Sequence, residues 1–253
     1  MAPRCLPGSS ASGYRRGTLV HFDACRLPEL PVGDERVRTT VGALGPLLAE
    51  WVPGVTPEAF WPVLLAVSEE MARARAEQLL ELPSRERFRR ALERVGCAEA
   101  SVGEAAVSLS RAHMAAIVAA TVFPAEHAAL LVALRRSHRL GVVSNFDDTG
   151  AAYDILARHG VLPLLDTVVV SEALGLRKPH PALVRTGLRG LGLPPHEALF
   201  VGDTFADDVG AATAAGTDAA WIDARGAGVP DGAPAPRYVL RALADLRGIL
   251  ECG

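Results

Sequence analysis

The four cysteines, Cys5, Cys25, Cys97 and Cys252, are scattered, and none forms a CxxC or CxxH pair. Spacing therefore offers no zinc site and no disulfide framework. Charge of one sign is also lacking, because the 253 residues carry a formal net charge of −3. Neither nucleic acid nor an anionic membrane surface has an electrostatic footprint to meet. No apolar run approaches the roughly 18 residues of a membrane span. Arg15-Arg16 precede a short apolar run, but His21 and Asp23 interrupt it at once. No export signal is read, and the cytosol is the expected setting. There is no GxSxG, no HExxH and no Walker loop, so serine-hydrolase, zinc-protease and P-loop chemistries have no residues to act through. GLRGLG at 187–192 follows a helical stretch rather than a strand, which rules out a dinucleotide loop.

Apolar residues, by contrast, make up 49% of the chain, ample for a sizeable core. Residues 1–16 (MAPRCLPGSSASGYRR) are small, polar and basic and read as a disordered tail. Leu19 to Phe22 read as a buried strand. Over 34–121 apolar residues recur at helical spacing, as in FWPVLLAVSEEMARARAEQLLEL and FRRALERVGC, which predicts four or five helices. Pro124 opens another helix, and then the texture alternates. LGVVSN, LLDTVVVS, ALFVGD and DAAWID read as strands, with GAAYDILARHG, HPALVRTGLRGLG and DVGAATAAG as helices between them. Short apolar strands alternating with helices predict a doubly wound, mainly parallel α/β sheet covered on both faces. The expected division is a core domain from 17–33 and 122–253, with an all-helical cap domain over 34–121. Gly226 to Pro236 read as a surface loop before a last helix.

Ligands of such sheets bind beyond the carboxyl ends of the strands. The residues expected there are Asp23, Ser144-Asn145, Lys178 and Asp203. An aspartate after a strand is more often a cap or turn residue, and a lone lysine is usually solvated. Together they form a physical set: carboxylates to hold a hard divalent cation, and a hydroxyl and an ammonium to hold phosphoryl oxygens.

This set resembles the haloacid dehalogenase-like hydrolase superfamily. HFDAC (21–25) is similar to its nucleophile loop, VVSN (142–145) to its second motif and LRKPHP (176–181) to its lysine motif. VGDTFADDVGAATAAG (201–216) is similar to its acidic motif and the helix that follows. The resemblance runs from about Leu19 to Asp223, and the inserted helical block matches the capped members. It implies that Asp23 is the nucleophile and forms an aspartyl-phosphate, with Ser144, Asn145 and Lys178 binding the phosphoryl group. It also implies Mg²⁺ held by Asp23, the backbone carbonyl of Cys25 and Asp203, with Asp208 (or Asp207) completing the outer shell. The charge logic stands apart from the family: a carboxylate facing a phosphate dianion is repelled unless a metal and a lysine cancel that charge. The expected partner is a small phosphorylated substrate, and the protein is expected to be a monomer or a homodimer.

One stretch departs from the family's phosphatases, which carry a second aspartate two positions after the nucleophile and then usually glycine and threonine. Here those positions are Cys25, Arg26 and Leu27. A backbone carbonyl at position 25 still serves a metal, but the acid/base group is absent, and a thiol of ordinary pKa near about 8.5 is a poor substitute. General acid–base assistance is typically worth roughly 10²–10⁴ in rate. Three readings follow: a phosphate hydrolase slowed or restricted by the loss, a dehalogenase- or phosphonatase-like hydrolase, and an impaired binding or regulatory module on the same fold. The complete GDTFADD motif disfavours the metal-free dehalogenase branch. Asp148 is expected to cap a helix, His180 to be structural, and Phe60, Trp51 and Trp61 to pack in the helical block.

Overall fold

The computed structural model describes residues 4–5, 17–20 and 40–250. The chain divides into two compact units. One takes Met1–Cys25, Phe123–Phe146 and Leu156–Gly253, and the other takes Arg26–Val122 with Asp147–Ile155.

The first unit is built on a seven-stranded sheet of order β1-β7-β6-β5-β2-β3-β4. Its strands are β1 (Arg4–Cys5), β2 (Gly17–Val20), β3 (Arg139–Ser144), β4 (Thr167–Val170), β5 (Ala198–Gly202), β6 (Asp218–Ile222) and β7 (Tyr238–Leu240). Every neighbouring pair is parallel except β1 with β7. Alternate residues of one strand enter opposite cores, as the two-residue period of a strand requires. Leu140 and Val142 of β3, with Leu199 and Val201 of β5, pack on one face. Val143, Ala198 and Phe200 pack on the other. Both faces are dry, which is why these strands read as continuous apolar runs rather than as alternating ones.

Arg4–Cys5 lie within the stretch read as a tail, yet they pair with β7. β7 has no signature in the sequence, because three residues after a proline- and glycine-rich loop carry too little pattern.

The second unit is helical: α1 (Gly45–Trp51), α2 (Pro57–Gln78), α3 (Ser84–Arg94) and α4 (Glu99–Ala120). Thr56 caps α2 by accepting from the Ala59 amide at 3.3 Å, with Pro57 in the first position, where a missing N–H costs nothing. Phe60, Phe88, Leu92 and Leu109 are fully buried, with Trp51 and Trp61 partly buried against them. Asp147 accepts from the Arg75 guanidinium at 3.3 Å, and the Ser84 amide donates to the Asp147 carbonyl at 2.7 Å. Asp148 caps the helix that follows, taking the Ala151 amide on one carboxylate oxygen at 2.9 Å and the Ser84 hydroxyl on the other at 3.2 Å.

In chain order, α5 (Ala125–Leu134) precedes β3, and α6 (Thr149–Arg158) follows it. Next come α7 (Ser171–Leu174), α8 (Ala182–Leu191), α9 (Gly210–Ala215) and α10 (Leu246–Leu250). Among the described residues no helix is long and apolar enough to cross a membrane.

Candidate active site

Register fixes the level of the functional residues. Val20 of the interior strand β2 is paired with Val142 of β3 on one side and with Val201 of β5 on the other. Ser144 and Asp203 each lie two residues further on. They therefore leave the sheet at the same height on either side of β2, roughly 10 Å apart for two inter-strand spacings. Ser144 closes a strand that is buried from Leu140 onward, and is itself 9% exposed.

Asn145 then ties two segments together. Its carboxamide oxygen accepts from the Lys178 amide at 2.7 Å, and its nitrogen donates to the Lys178 carbonyl and to Asp207 Oδ2, both at 3.1 Å. One side chain thus holds the backbone of the lysine loop at both its donor and its acceptor. Ser171, at the start of α7, performs a similar service one residue on: its hydroxyl accepts from the Phe146 amide at 2.9 Å and donates to the Phe146 carbonyl at 3.1 Å.

Lys178 is 1% exposed. Its ammonium group donates to Asp208 Oδ1 at 2.7 Å and to the Val143 carbonyl at 3.2 Å, and it stands over the Phe200 ring at 5.5 Å. Asp208, equally buried, takes the Thr204 amide on its other oxygen at 2.9 Å. A buried charge is tolerable only when paired and hydrogen-bonded, and each member of this pair meets that condition through the other. Gly202 makes the arrangement possible. A Cβ on it would fall 2.3 Å from the Asp208 carboxyl carbon, so only glycine lets that carboxylate fold back over the end of β5.

Asp203 is exposed, and its backbone carbonyl is held by the Trp221 indole N–H at 3.0 Å, with Phe205 packed edge-on against the same indole. Asp207 is half-buried. Burial pushes its pKa up and Asp208 adds to the rise, against the opposing pull of Arg177, Lys178 and the Asn145 bond.

Of the residues read from the sequence, Asn145, Lys178 and Asp208 form one bonded network, and Ser144 and Asp203 share its edge of the sheet. Asp23 and Cys25, with Arg26 and Leu27, lie outside the described residues. Asp208 sits inside the network as the lysine's partner, with both oxygens engaged by protein donors. Ser171 and Gly202 join the site without being among the polar residues that the sequence places at the strand ends. The glycine just before Asp203 was the available signal; the serine, in a helix-starting SEAL, offered none. His180 accepts the Ala182 amide on Nδ1 at 3.2 Å, a local turn contact.

The curated relatives include a phosphoserine phosphatase of Thermus thermophilus, 34% identical over 142 residues, 56% of this chain and 55% of that protein. A glyceraldehyde 3-phosphate phosphatase of Methanothermobacter thermautotrophicus is 33% identical over 101 residues, 40% of this chain and 44% of that one. The chain thus spans about half the length of these relatives. Among solved structures, a 2-haloacid dehalogenase from Pseudomonas syringae pv. Tomato superposes with a TM-score of 0.70 at 23% identity, covering 94% of this chain and 98% of that one. That likeness is one of fold. The sequence family of haloacid dehalogenase-like hydrolases matches residues 17–216, and it is to this family that the chain belongs.

Proposed function

We propose that the protein hydrolyses a small phosphorylated metabolite, with Mg²⁺ as cofactor, through an aspartyl-phosphate on Asp23. The observation that carries this reading is the buried Lys178–Asp208 pair, held by Asn145 at the sheet edge that Ser144 and Asp203 share. A fixed ammonium group at the same sheet edge as a hydroxyl is suited to a phosphoryl group, whose negative charge must be offset before a carboxylate can approach it. Lys178 is oriented in advance by Asp208 and the Val143 carbonyl, so it need not reorganise when the substrate arrives. Ser144 supplies a hydroxyl toward the phosphoryl oxygens, and Asn145 keeps the lysine loop in register with it.

Asp203 offers one donor suited to a hard cation. Asp203 is an exposed carboxylate on a backbone pinned by Trp221, and oxygen donors of this kind suit Mg²⁺. Asp23 and the Cys25 carbonyl would complete the set, while Asp208 acts one step removed, through Lys178. Bound there, Mg²⁺ would neutralise charge on the phosphoryl oxygens. A related HAD hydrolase of Bacillus subtilis, similar in fold with a TM-score of 0.60, has been seen bound to magnesium. The relatives named as phosphatases of phosphoserine and glyceraldehyde 3-phosphate support a phosphate monoester as the substrate class.

Cys25 favours a second reading, a site impaired in catalysis that serves binding or regulation. Hydrolysis of p-nitrophenyl phosphate separates the two, measured with and without Mg²⁺ for the native protein, Cys25→Asp and Asp23→Asn. The expected result is slow Mg²⁺-dependent turnover in the native protein, none in Asp23→Asn, and a gain of roughly 10²-fold or more in Cys25→Asp. Activity only in Cys25→Asp would establish the impaired module. Full turnover in Asp23→Asn would end the aspartyl-phosphate mechanism.

A further inference from the structure

The amino edge of the same sheet carries a concave site. The run RRSHR, residues 135–139, joins α5 to β3, and with Leu193, Pro194 and Glu197 ahead of β5 it encloses a cleft of about 530 Å³. That volume lies within the range of about 300–1,000 Å³ typical of small-molecule sites. Arg139 is the first residue of β3 and Ser144 the last. At about 3.3 Å per residue the cleft therefore lies roughly 17 Å from the Ser144 end of the strand.

The cleft is basic, and two of its three arginines are held in place. Arg135 is paired with Asp166 at 3.0 Å, and Arg139 donates through Nη1 to the Leu191 carbonyl. His138 is only 8% exposed, and its Nδ1 is bonded to the Ser137 hydroxyl at 2.8 Å. Its Nε2 bonds to none of the described residues. Arg136 is exposed and pairs with no carboxylate among them. Glu197 is the one carboxylate lining the cleft, against three guanidinium groups. Leu193 and Pro194 make an apolar wall beside the charges.

From this arrangement we propose that the cleft binds a small organic phosphate at a site separate from the one at the carboxyl edge. Arg136 and Arg139 meet the phosphate dianion and His138 Nε2 contributes a further polar contact. Leu193 and Pro194 receive the organic part. Guanidinium groups match phosphate oxygens in planar, two-pronged bonds, and fixed ones lose little freedom on binding. With Arg135 answered by Asp166, Glu197 offsets only one of the two remaining guanidinium charges, which favours an anion in the cleft.

The test follows the His138 ring signals by NMR at constant ionic strength, in the whole 253-residue chain, with inorganic phosphate and then adenosine 5′-monophosphate as probes. Because His138 lines this cleft, the readout is independent of any binding at Ser144 and Lys178, and of whether the proposed hydrolysis holds. Saturable shifts are expected with both probes, the nucleotide half-saturating at least about tenfold lower. Arg136→Glu should weaken binding at least about tenfold and leave the melting temperature unchanged, since the side chain is exposed. Equal affinity for the two probes would overturn the organic pocket. Absence of saturation up to ~10 mM, shifts reproduced by sodium chloride, or unaltered binding in Arg136→Glu would overturn the site itself.

Discussion

Gly202 is the residue on which the buried ion pair turns. A Cβ there would sit 2.3 Å from both the carboxyl carbon and Oδ2 of Asp208, so Gly202→Ala must displace that carboxylate from the Lys178 ammonium and the Thr204 amide. Breaking a buried pair from one side costs about 3–5 kcal/mol, because the partner is left charged and dry. Gly202→Ala is therefore expected to destabilise the protein by about that amount in urea denaturation. In an Asp208→Ala background the same change should cost much less, because the clashing group is gone. Equal costs in both backgrounds would show that the glycine serves something other than the carboxylate. The polar residues at the strand ends were legible beforehand, since an acid, a hydroxyl or an amide after a buried run stands out. The pairing of Lys178 with Asp208 was not, for thirty residues separate them and no periodicity links them.

At the level of elements, the helical block shows how burial tunes a side chain. His113, on α4, is 8% exposed, its ring edge against Phe88 of α3 at 5.4 Å. Burial, with the nearby Arg87 charge adding to it, pushes its pKa down to about 3. The folded protein thus keeps His113 neutral, while the unfolded chain protonates it below its ordinary value near about 6.5. Between those values the unfolded state holds the extra proton, so stability falls as pH drops through this window. The slope approaches about 1.4 kcal/mol per pH unit. His113→Gln is expected to flatten that slope in chemical denaturation between pH 6 and pH 4, and an unchanged slope would assign the acid sensitivity elsewhere. The helices themselves were readable from apolar spacing, and α2 announces its start with Thr56-Pro57. The segment from Asp147 was not readable as part of the helical unit. It follows β3 directly in sequence, and it belongs there through the Arg75 and Ser84 contacts with Asp147 and the Ser84 contact with Asp148.

For the molecule as a whole, two units mean separate cores. Tyr238, Leu140 and Leu199 sit in one sheet-bound cluster, while Phe60, Phe88 and Leu109 sit in the helical one. Units with their own cores are able to lose protection separately. Phe88→Ala, which empties a fully buried aromatic site at a typical cost of about 3–5 kcal/mol, should lower hydrogen-exchange protection in α2, α3 and α4. Amides of β3 and β5 should retain theirs. Uniform loss across both units would show that they unfold as one.

The amino-acid sequence alone determined the parallel α/β sheet, the family, and which polar residues stand at the strand ends, because those follow from local period and from order along the chain. Tertiary structure alone decided that Asp208 belongs to Lys178, that Asn145 clamps the lysine loop, that Gly202 must lack a side chain, and that a cleft of arginines forms at the amino edge. Each of these depends on which distant segments meet in space, and a linear pattern carries no record of that.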